Sequence, residues 1–120
     1  MEGYVNLYRS MIDWRWFREP AIAHLFVYLL LQVCDTDTEW CDKVIKRGKI
    51  VTTRNRICQE TGLTEKVVRG ALAKLQKTGE ISIEITNKFS IITVCNYDKY
   101  QNQSEIKNQT VHSIQNLYNK

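Results

Sequence analysis

The sequence predicts an α+β fold that is mainly α, and three observations predict it. Residues 53–79, TRNRICQETGLTEKVVRGALAKLQKTG, divide into a short helix, a Gly62-Leu63 turn and a longer basic helix. The following stretch, EISIEITNKFSIITV, alternates apolar and polar residues on either side of Asn87-Lys88, the pattern of a β-hairpin. Ahead of both lies an apolar run, residues 21–34, of the length of a buried core helix. Helix, turn, helix, Gly79, strand, Asn-Lys, strand is the order of a winged helix-turn-helix. An extra N-terminal helical segment and a two-stranded wing complete the expected architecture.

Residues 1–19 mix aromatic and apolar side chains with isolated charges. Tyr4, Leu7, Tyr8, Met11 and Ile12, with Trp14 or Phe17, are expected to pack on the next helix. Trp14 and Trp16 read first as packing residues and, in a second reading, as exposed anchors of a protein interface. Pro20 opens the core helix, because a first helical position has no intrahelical use for the N–H that proline lacks. Ile22, Leu25, Phe26, Leu29, Leu30 and Val33 recur at three- and four-residue steps, with Val27, Tyr28 and Leu31 widening the face. His24 has no ligand motif around it and is expected to be a hydrogen-bonded structural residue.

Residues 35–39 form an acidic loop in which Asp35, Asp37 and Glu39 imitate the first ligands of a calcium loop. Trp40 stands where that loop needs Gly and Lys46 where it needs a bidentate Glu, which excludes calcium. Residues 40–45 and 49–52 are expected as two extended segments joined at Arg47-Gly48. Thr52 or Thr53 then caps a helix over residues 54–61, whose clearest core residue is Ile57, joined by Cys58 and Leu63. Gly62 supplies the positive φ of the turn, and Thr64 caps the second helix, residues 65–77.

That second helix has an apolar stripe of Val68, Ala71, Leu72 and Leu75. At about 100° per residue, its opposite face presents Lys66, Gly70, Ala73 and Lys77, flanked by Arg69 and Lys74. Gly70 costs about 1 kcal/mol relative to Ala in a helix interior, which fits either close approach of a partner or sequence drift. The face has long basic side chains and no Asn or Gln aimed at adenine, so it is better equipped to hold DNA than to read it. In the hairpin, Ile81, Ile83 and Ile85 are expected on one face, with Asn87 at positive φ in a two-residue turn and Lys88 at the tip.

Residues 96–100 close the domain, their tyrosines folding back on the sheet. The expected division is therefore a domain over residues 1–100 and a polar tail or linker, partly helical, over residues 101–120. Ile106, Val111, Ile114, Leu117 and Tyr118 leave a weak helical periodicity there.

Charge is distributed unevenly along these elements. Residues 1–42 carry three basic and seven acidic side chains, residues 43–79 ten basic and two acidic, and residues 80–120 four of each. A positive field centred on the helix pair is what attraction to phosphates requires, and a solvated basic face is the alternative. Cys34, Cys41, Cys58 and Cys95 show no CxxC spacing and read as reduced packing residues of a cytoplasmic protein rather than disulfide or metal ligands. Two histidines, no phosphate loop and no nucleophile motif leave no candidate catalytic residue, metal ligand or cofactor site. The sequons at Asn102 and Asn108 are then without consequence.

Five stretches, GYVNLYRSMIDWRWFREP, LFVYLLLQ, KRGKIVTT, ETGLTEKVVRGALAKLQKTGEI and ITVCNYDKYQ, carry a family resemblance. Together they span about residues 3–101, and the chain there resembles the N-terminal winged-helix domain of phage and plasmid replisome-organiser proteins related to DnaD. The resemblance implies a winged-helix fold and a role at a replication origin or in helicase loading. In relatives the winged helix also serves oligomerisation, while a separate C-terminal domain contacts DNA.

The expected function is non-enzymatic binding of double-stranded DNA in replication initiation. Lys66 and Arg69 are the expected readers around Gly70, with Lys74, Lys77, Arg54, Arg56 and Lys88 on phosphates. The alternatives are an oligomerisation or docking module built on Trp14 and Trp16, or a transcriptional regulator. No membrane contact is expected.

Overall fold

In the computed structural model, which describes residues 3–101, the apolar run becomes α1 (Pro20–Gln32), with proline at its first position. Ile22, Leu25, Phe26, Tyr28, Leu29 and Leu30 are buried on it, and Leu25 and Leu29 are wholly inaccessible. Each such leucine contributes about 1.5–3 kcal/mol relative to exposure. The buried face is narrower than expected, because Leu31 remains 49% exposed.

Two helices pack on α1. Thr53 caps α2 (Arg54–Thr61) by accepting from the Arg56 N–H, and Thr64 caps α3 (Glu65–Lys77) by accepting from the Val67 N–H. Gly62, at φ 80°, turns the chain between them. Gly79, at φ 81°, ends α3 in the paired arrangement of a Schellman motif: the Glu80 N–H reaches Leu75 O and the Gly79 N–H reaches Gln76 O. Ile57 from α2 and Val68, Ala71, Leu72 and Leu75 from α3 meet α1 in one core.

The hairpin strands β4 (Ile81–Ile85) and β5 (Ser90–Val94) pair as expected, but a third strand joins them. β3 (Lys49–Thr52) lies antiparallel to β5 on its other side, pairing Ile50 with Ile92, so the order is β3-β5-β4 and the two-stranded hairpin is part of a three-stranded sheet. Burial of Ile50 on the face shared with Ile92 drives this pairing. The apolar face of β4 fades outward, with Ile81 buried, Ile83 half-buried and Ile85 80% exposed beyond the core. At the tip Asn87 does not take positive φ. The side chain of Thr86 holds the reversal instead, donating to Phe89 O and accepting from the Phe89 N–H.

A second correction concerns residues 40–45, which are not one extended segment. β1 (Thr38–Trp40) and β2 (Lys43–Ile45) form a separate hairpin, turned at Cys41 and Asp42 with φ 47° and 62°. Two successive positive φ values match the twist of paired strands. Cys41 is therefore exposed at a turn and not among core residues, and all four cysteines are free.

The N-terminal segment is helical only over a 3₁₀ stretch, Arg9–Asp13. Tyr4, Leu7, Ile12 and Phe17 stay exposed there instead of packing on α1. Trp14 and Trp16 do the packing. The Trp14 ring lies 4.9 Å from that of Phe26 and its indole N–H donates to Glu80, while the Trp16 N–H donates to Thr78 Oγ1.

Arg47 ties the C-terminal end of the described chain to the rest. It donates to Asp98 Oδ1 at 2.6 Å, to Asp35 O at 2.6 Å and to Gln101 O, and its guanidinium lies 4.9 Å from the Tyr97 ring centre. These contacts hold α4 (Tyr97–Gln101), with Tyr97 buried against Gly48. Gln101, expected to begin the tail, instead closes α4 and is buried. The rest of the expected tail, with its periodicity and both sequons, lies outside the described residues.

Ionisable groups bridge α1 and α2. The Tyr28 hydroxyl donates to Glu60 Oε1 at 2.5 Å, Arg56 Nε donates to the same oxygen, and the His24 ring meets Thr61 O at 3.0 Å. The Tyr28 hydroxyl, and behind it Arg56, hold the Glu60 carboxyl below its usual value. The Arg47 backbone N–H and Lys46 do the same for Asp37. Such depressed acids stabilise the fold above the unfolded carboxyl range, and that contribution is lost as pH falls through their folded values. Burial first, and then the bond to Glu60, push Tyr28 up; burial likewise raises Tyr97. Their contribution is full below about pH 10 and is lost as pH rises through the raised values. Stability by urea unfolding should therefore be flat from about pH 5 to 9 and fall on both sides. Tyr28→Phe should soften both limbs, because it removes the phenol and the donor to Glu60.

Candidate nucleic-acid interface

The site is the face of α3 turned away from the core. Burial of Val68, Ala71, Leu72 and Leu75 fixes the rotation of the helix, which leaves Lys66, Arg69, Gly70, Ala73, Lys74 and Lys77 exposed. Lys66, Arg69, Lys74 and Lys77 make no ion pair within the described residues. Gly70 has nothing within 4 Å of where a Cβ would stand. No part of the described chain explains that glycine by crowding.

Of the remaining candidates, Arg54 lies with α3 and Arg56 does not. Arg54 Nη1 is 3.9 Å from Glu65 Oε1, beside the first turn of α3. The pair is exposed on both sides and holds the side chain only weakly. Arg56 sits about 200° further round α2. It pairs at 3.2 Å with Glu60, which is itself bonded to Tyr28 of α1. The two arginines therefore serve different faces of α2. Lys88 is exposed at the tip of the β4–β5 loop. Trp14 and Trp16, the candidate interface residues, are half-buried with their indole N–H groups engaged.

One polar candidate escaped the sequence reading. Gln76 is exposed and lies seven residues after Arg69, on nearly the same line along α3. Its signal is the i+7 spacing from Arg69, weak because Gln76 lies beside the buried Leu75 at the margin of the basic face.

The described residues hold no group of three or more His, Cys, Asp or Glu placed to bind a metal ion. None of their helices is long and apolar enough to cross a membrane. Compared with protein-family models, characterised proteins and solved structures, the chain matches none.

Proposed function

We propose that this chain is a winged helix-turn-helix protein that binds double-stranded DNA without catalysing a reaction. The observation that carries the reading is the outer face of α3, with four exposed cations around Gly70 and Ala73 that have no ion-pair partner among the described residues. A helix of that width fits a major groove about 12 Å wide. In this reading α2, the Gly62 turn and α3 are the helix-turn-helix, and the β4–β5 hairpin with Lys88 is the wing. Lys66 and Arg69 reach base edges or phosphates; Lys74, Lys77 and Arg54 contact phosphates. Arg56 contributes to the field but not to the docked face. The replication-initiation setting rests on the resemblance to replisome organisers, and a transcriptional regulator would use the same face.

Titrating a fluorescently labelled random-sequence duplex with the full chain tests the reading, with saturable anisotropy expected. A second experiment uses Gly70→Ala. Open space at that position predicts a helix stabilised by about 1 kcal/mol in thermal unfolding. If DNA closes on that face, the same variant binds duplex several-fold more weakly despite its greater stability. Unchanged or tighter binding would remove Gly70 from the site.

A self-association or partner-docking module of a replication complex is the second reading. It is favoured by the exposed Tyr4, Leu7, Ile12 and Phe17 of the N-terminal segment. An oligomer in sedimentation, without anisotropy change on DNA, would favour it; a homo-oligomer that also binds DNA satisfies both.

A further inference from the structure

A cavity of about 260 Å³ opens between the N-terminal segment and α1. Leu7, Met11, Trp14, Phe26 and Leu30 wall it, and Gln101 stands at its edge. Beside it Tyr4, Leu7 and Ile12 are exposed. The volume falls below the roughly 300–1,000 Å³ of small-molecule sites, and the lining suits a few apolar side chains of a polypeptide.

The chain's own path supplies the occupant. Gln101 is buried; its side chain accepts from the Asn6 N–H at 2.9 Å and donates to Asn6 O at 2.7 Å. Arg47 holds its carbonyl. The last described residue, Gln101, therefore stands against the groove. Nineteen residues follow, with Ile106, Val111, Ile114, Leu117 and Tyr118 spaced as on one side of a helix.

We propose that this groove is the docking site of the chain's own residues 106–118. Ile106 is five residues past Gln101, a tether of at most about 18 Å. A short tether gives an effective concentration on the order of millimolar, so this segment outcompetes a free partner of equal chemistry. Charge agrees in sign: Asp13 and Glu80 line the groove, and the segment beyond Gln101 carries Lys107 and Lys120 against Glu105 alone. The inference is independent of DNA binding.

Nuclear magnetic resonance on the full chain tests it, at a concentration where sedimentation gives a monomer. Methyl cross-peaks are expected from Val111, Ile114 or Leu117 to Met11 or Leu30. Ile114→Asp with Leu117→Asp should abolish them, move the Trp14 indole signal and speed amide exchange at Leu7 and Met11 by about tenfold. The exposed-side variant Leu7→Asp should have the same effect on the cross-peaks, and unmoved Leu25 and Leu29 methyls report an intact core. Absence of those cross-peaks in the unaltered chain overturns the proposal. So do cross-peaks that arise only between differently labelled molecules, which would put a second copy in the groove.

Discussion

Replacing Arg69 and Lys74 together by alanine should weaken binding to duplex DNA about thirtyfold near 0.15 M salt. The figure follows from counterion release: two lost phosphate contacts change the log–log salt slope by about 1.8. Both side chains are exposed and make no ion pair among the described residues, so the fold should keep its stability within about 0.5 kcal/mol. Arg56→Ala is the informative control. It removes an equal charge, but from a side chain committed to Glu60 on the α1 side of α2. Its effect on affinity should be no more than a few-fold. Equal losses from both variants would mean that the protein attracts DNA through net charge alone, with no docked face. Anisotropy titrations of the three proteins at one salt concentration decide between these outcomes.

Gly48→Ala should lower stability by about 2–4 kcal/mol and the melting temperature by about 10–20 °C. Two costs coincide at this position. Its φ of 86° lies in the left-handed region, and an added Cβ would stand 3.0 Å from the Tyr97 Cβ, where neither atom can swing aside. The backbone there is also spoken for: the Gly48 N–H donates to Cys34 O, and Gly48 O accepts from the Val94 N–H. Circular dichroism melting measures the loss. A drop below about 1 kcal/mol would mean that Tyr97 and α4 pack less rigidly than the structure has them.

Helices α1, α2 and α3 were legible in the sequence because their signals are local, whereas α4 was not. Pro20, the caps Thr53 and Thr64, and the stops Gly62 and Gly79 each act within a few residues, and the α3 stripe repeats at a fixed angle. The sheet was less legible because pairing is not local. Ile50 meets Ile92 across 42 positions, and no nearby residue announces it. The Cys41-Asp42 turn lacks the Asn-Gly or Asp-Gly signature of its conformation, so the β1–β2 hairpin read as a single extended segment. The β4–β5 tip looked like an Asn-led turn, yet Thr86 holds it through its hydroxyl.

The candidate site divided along the same line. The basic face of α3 could be drawn from spacing alone. The commitment of Arg56 to Glu60 and Tyr28, and the engagement of both tryptophan indoles, depended on tertiary neighbours 32 to 66 residues away. Gly70 was conspicuous in sequence, and the structure narrows the choice: nothing in the described chain approaches that position, so crowding within those residues does not account for it.

The central claim is that the exposed face of α3 holds duplex DNA through its phosphates. Affinity of the unaltered chain for one duplex, measured from 50 to 200 mM salt, tests it most directly. Neutralising about five phosphates predicts a log–log slope near −4.5, a loss of about 500-fold across that range. A flat profile, or no measurable binding at 50 mM, would contradict it.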